Sequence, residues 1–101
     1  MKADLLKTYL KANCLGRGKT APGSVLERTL HLSGNELRRC VNCLRRQGVP
    51  VASSRAGYFY AANAGEIYAT IRQLRQMERG LQAAIEGLEG ALEKFGGESS
   101  E

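Results

Sequence analysis

With 101 residues of which 43% are hydrophobic, the chain can bury one modest core, and nothing in it provides for a second globular unit. Its net charge of +5 is unevenly placed: residues 1–60 carry 11 Lys and Arg against 3 Asp and Glu (net +8), whereas residues 61–101 carry 4 against 7 (net −3). With Asp4 close to the start, no apolar region that would serve as an export signal, and no run long enough to span a membrane, the expected location is cytoplasmic, and the three cysteines are expected as reduced thiols.

In chain order, Leu5, Leu6, Tyr9 and Leu10 share one side of a short amphipathic helix, with Lys2, Lys7 and Lys11 left for solvent. From Asn13 to Gly23 the glycines, Pro22, Arg17 and Lys19 make a basic loop. A second helix of about two turns starts near Ser24, carries Val25, Leu26 and Leu30 inward, and stops at His31-Leu32. Ser33 with Glu36 three residues on is a capping-box signature, and Gly48 is a plausible C-terminal stop, so a third helix is expected over 34–47. Val49–Ser53 and Tyr58–Ala61 are short runs of β-formers separated by Ser54-Arg55-Ala56-Gly57, which predicts a hairpin over 51–61. Asn63 with Glu66 offers another cap, after which a helical pattern runs to Phe95.

The expected fold is therefore mainly α with a small β-hairpin. A head (1–62) in the order of a winged helix-turn-helix is followed by a long coiled-coil helix (63–95) for oligomerisation and a flexible tail (96–101).

The third helix carries the chemistry. Leu37, Cys40, Val41 and Leu44 fall on one face, and Asn35, Arg39, Asn42 and Arg46 fall on the other, flanked by Arg38 and Arg45. Arginine can bond a guanine edge with two hydrogen bonds, asparagine can do the same with adenine, and both can reach phosphates. On an isolated helix such a face is ordinarily just solvated; its place in a helix-turn-helix order favours double-stranded DNA.

The segment VLERTLHLSGNELRRCVNCLRRQGVPVASSRAGYFYA resembles the winged helix-turn-helix of the biotin-operon-repressor type. Leu32-Ser33 at the turn, Leu37, Val41 and Leu44 inside the helix, Arg45, Gln47 and Gly48 at its end, and Gly57-Tyr58 entering the second strand carry the resemblance. It implies that the third helix enters the major groove and that the hairpin, tipped by Ser54 and Arg55, lies against the backbone or minor groove. Carried over to this chain, the contact residues are Asn35, Arg38, Arg39, Asn42 and Arg55. Because no ligase or effector domain follows the hairpin, only the DNA-binding module transfers, as in small regulators of phage or plasmid type.

Along the last helix Ile67, Ile71, Leu74, Leu81, Ile85, Leu88, Leu92 and Phe95 follow alternating steps of four and three, broken at Glu78, with Met77, Ala84 and Ala91 widening the stripe. Packing on its own head could use only the first two turns, so a homodimer or higher oligomer is expected. An antiparallel arrangement is favoured because a parallel one sets Glu78 against its own copy. Antiparallel pairing attaches the two heads roughly 55–60 Å apart, which suits widely spaced half-sites better than adjacent ones.

Other signals are weaker. Gly18-Lys19-Thr20 resembles the end of a phosphate loop, yet Asn13 stands where its first glycine belongs. Arg17 and Lys19 are better placed as contacts to DNA phosphates. Cys40 and Cys43, with Cys14 and His31, have the composition of a zinc site, but helical periodicity turns Cys40 to the core, so neither metal nor cofactor is expected. No nucleophile and base share a cleft, and no enzymatic activity is expected. The alternative of a different class is an assembly or adaptor protein that acts through its long helix without specific DNA binding.

Overall fold

A computed structural model describes residues 2–96. It is mainly helical with one two-stranded antiparallel hairpin: α1 (Lys2–Asn13), a 3-10 turn (Arg17–Lys19), α2 (Gly23–Leu30), α3 (Gly34–Arg46), β1 (Val51–Ser54), β2 (Gly57–Tyr60) and α4 (Ala64–Lys94). No helix among the described residues is long and apolar enough to cross a membrane. Of the tail expected over 96–101, only Gly96 is described; 97–101 lie outside the described residues.

Local chemistry sets the element ends. His31 closes α2 in the left-handed region (φ 57), and the Leu32 N–H then donates to the Glu27 carbonyl at 2.9 Å. That leaves a turn of only three residues before α3. Ser33 accepts from the Glu36 N–H at 3.1 Å while the Glu36 carboxylate accepts from the Ser33 N–H at 2.9 Å, so the expected capping box starts α3. At its other end Gly48 takes φ 87, and paired bonds from the Gly48 N–H to the Arg45 carbonyl and from the Val49 N–H to the Leu44 carbonyl satisfy carbonyls the helix leaves open.

The hairpin pairs Val51 with Tyr60, Ala52 with Phe59, Ser53 with Tyr58 and Ser54 with Gly57. Its strands run one residue further toward the tip than the sequence indicates and leave Arg55-Ala56 as the loop. Gly57 (φ +140) serves more than the turn, since a Cβ there would lie 2.0 Å from the Ala21 carbonyl oxygen. The close approach exists because the basic loop lies along the free edge of β2. Ala21 and Tyr58 exchange both backbone bonds at 2.9 Å, the Tyr60 N–H donates to Cys14 and the Gly16 N–H to Tyr60. The hairpin edge is thus paired rather than open.

One core joins these parts. Leu6 and Leu10 of α1, Leu26 of α2, Leu37, Cys40, Val41 and Leu44 of α3, and Val51, Ala52 and Phe59 of the hairpin are all buried. The four predicted inward positions of α3 are its four buried ones.

The described residues divide into two compact units, the first ending at Thr70. Thr70, only 5% exposed, accepts the Ser53 N–H on its hydroxyl at 3.1 Å, which assigns the first two turns of α4 to the head.

Candidate nucleic-acid interface

The capping box and the Schellman-type end fix α3 at both termini, and the core side chains fix its rotation. Asn35, Arg38, Arg39, Asn42 and Arg46 are consequently all exposed. Within this face the Arg38 guanidinium donates to the Asn35 side-chain oxygen. Asn35 therefore presents its amide N–H groups outward with its acceptor already engaged. Glu36, the acid in the first turn, is held by an ion pair with Lys2 of α1. Its carboxyl is kept below the ordinary 4.5 by the Lys2 hydrogen bond first and the Ser33 N–H second. No acid on α3 is left facing outward against the arginines.

Arg45, expected among the DNA contacts, is engaged within the head. Half-buried, it donates from Nε to the Val51 carbonyl at 2.8 Å and from its terminal nitrogen to the Ser53 hydroxyl at 3.1 Å, bracing the end of α3 against β1. Burial lowers its pKa, with Tyr58 opposing. Through Ser53 the brace continues to Thr70, so α3, the hairpin and the start of α4 are linked by three successive polar contacts. Periodicity puts Arg45 on the flank of the outer face, and only the position of β1 decides which way its guanidinium turns.

At the hairpin tip Arg55 is exposed, whereas the Ser54 hydroxyl accepts from the Ala56 N–H at 3.2 Å and shapes the turn. Arg17 and Lys19 are exposed on the 3-10 turn, which packs on β2 rather than extending the α3 face. That turn is tied down by Glu66, whose carboxylate accepts from the Ala62 N–H at 2.7 Å and the Arg17 N–H at 3.0 Å. The Asn63–Glu66 cap is legible in the sequence; the bond to Arg17 joins residues 49 apart and is not.

The cysteines behave as core. Cys14 and Cys40 are buried and burial raises both thiols, Cys43 is half-buried, and among the described residues no group of three or more potential ligands gathers to hold a metal.

The oligomer-interface residues expected on α4 are exposed without exception, from 38% at Ile67 and Ile71 through Leu74, Met77, Leu81, Ala84, Ile85, Leu92 and Phe95 to 72% at Leu88. None of them is buried within the single chain. In comparison with known proteins, the chain matches no family model, no curated protein and no solved structure.

Proposed function

We propose that the protein is a sequence-specific DNA-binding protein of winged helix-turn-helix design, working as a homodimer through α4 and acting as a transcriptional regulator in the cytoplasm. The observation that carries this reading is the outer face of α3. Three arginines and two asparagines, Arg38, Arg39, Arg46, Asn35 and Asn42, stand exposed on a helix that comes after α2 and a three-residue turn, with every apolar α3 residue but one turned inward. Such a face supplies paired arginine donors for guanine edges, a donor–acceptor amide at Asn42 for adenine edges, and charge for phosphates. Arg46 and Arg55 are placed for phosphates, with Arg55 at the tip of the wing; Arg17 and Lys19 supply a further cationic turn on the same head. Arg45 acts in this reading as a positioning residue that holds the wing against the reading helix.

Selection of bound duplexes from a random pool tests it. The wild-type protein is expected to enrich one motif, and Arg39→Ala with Asn42→Ala is expected to abolish the enrichment without changing the melting temperature of the head. If wild type enriches no motif and acts only through protein partners bound by α4, the adaptor reading replaces this one.

A further inference from the structure

Beyond Thr70 the apolar stripe of α4 stands exposed in the single chain. Every described residue from Ile71 to Gly96 is exposed, and the large apolar ones stay on one stripe at steps of four and three. A single helix of this length gains little from propensity alone, and a contiguous apolar stripe of this extent marks a contact surface.

We infer that the occupant of this stripe is a second copy of the chain lying antiparallel, with the two-fold axis passing beside residue 83. In that register Leu81 meets the partner's Ile85, Leu74 the partner's Leu92, and Glu78 the partner's Leu88. The charge pattern selects this register. Arg75 falls opposite the partner's Glu89, and symmetry makes the pair twice; on the outer flank Arg72 and Arg79 run beside the acidic Glu86 and Glu93. A parallel pair sets Glu78 against its own copy in the seam and places Arg75 beside the partner's Thr70 and Glu89 beside the partner's Ala84, so no opposite charges meet.

A second feature of α4 agrees. At the centre of the antiparallel register Ala84 meets its own copy, with Gly80 and Gly87 one turn to either side. Both glycines have open space where a Cβ would stand, so nothing in their own chain requires them, although glycine weakens a helix interior. A partner backbone drawn close at Ala84 accounts for small residues there.

This inference deepens the self-pairing part of the proposed function and is tested without DNA. Sedimentation equilibrium of the full chain reads whether it pairs, the expectation being a mass above that of one 11.0 kDa chain. Orientation is read with a short thiol crosslinker on Ala84→Cys and, separately, Glu78→Cys, each made with Cys43→Ser so that the remaining native thiols are buried. Covalent dimer from Ala84→Cys and none from Glu78→Cys is expected. Covalent dimer from Glu78→Cys, or none from Ala84→Cys, overturns the antiparallel register while leaving pairing intact. A monomeric wild type overturns pairing itself, whatever the DNA selection returns.

Discussion

Leu26 and Leu88 are the same residue type on two helices of the same chain, yet one is wholly buried and the other 72% exposed. The difference tracks the boundary at Thr70. Before it, apolar residues recur at short helical and strand spacings on elements that fold back on one another, and α1, α2, α3 and the hairpin close a core among themselves. After it, one helix continues with equally regular apolar spacing, and no described residue is buried. The same pattern can be satisfied inside a chain or left for another chain to satisfy, and the presence of a facing element in the same chain decides which.

That contrast is sharpest in matched truncations. Leu26→Ala is expected to cost the head about 2–5 kcal/mol independently of protein concentration, a large share of what a domain of this size possesses. Leu88→Ala is expected to leave the head's melting temperature unchanged at concentrations where the chain is monomeric and to weaken self-association at least about tenfold, read by sedimentation. If Leu88→Ala lowers the head's melting temperature at those concentrations, the division at Thr70 is wrong. Gly57→Ala comes next. Its Cβ would meet the Ala21 carbonyl oxygen, which accepts the Tyr58 N–H in a residue that Tyr58 holds by two backbone bonds, so a loss of about 3 kcal/mol is expected from denaturant titration. Replacing Arg45 with Met keeps the stem but removes both bonds to β1, and about 1–3 kcal/mol of head stability is expected to go with them.

The smallest effect concerns acid. The Ala62 N–H first and the Arg17 N–H second favour the charged form of Glu66, so its pKa in the folded protein lies below the ordinary 4.5. Its contribution is complete above that value and is lost as pH falls through the lowered one. Glu66→Gln should therefore flatten part of the decline in melting temperature below about pH 4.5, and Glu36 acts in the same direction through Lys2 and Ser33.

Much of the head is legible in short-range signals. Ser33 and Glu36 mark a helix start through a bond pattern three residues long, and the inward face of α3 comes from a period of 3.6, so both can be read from the order of residues alone. Contacts between segments distant in the chain have no such signal. The pairing of Ala21 with Tyr58 and of Cys14 and Gly16 with Tyr60, which gives Gly57 its second reason, is set by where the basic loop lies. The brace from Arg45 and the anchor at Thr70 likewise require β1 to be in place. His31 in the left-handed region has no signal, because only the need to turn from α2 into α3 within three residues puts it there. For the candidate interface, the exposed members of the α3 face are legible and the role of Arg45 is not.

The proposed binding of DNA by the outer face of α3 is open to test by salt. Equilibrium binding of the wild-type chain to duplex DNA, titrated from low to physiological salt, should show affinity that falls steeply and linearly on a log–log plot. Arg46→Ala should lower that slope by about one, whereas Arg39→Ala should cost affinity chiefly for the selected motif. No measurable affinity at low salt, or a slope indifferent to Arg46, would contradict it.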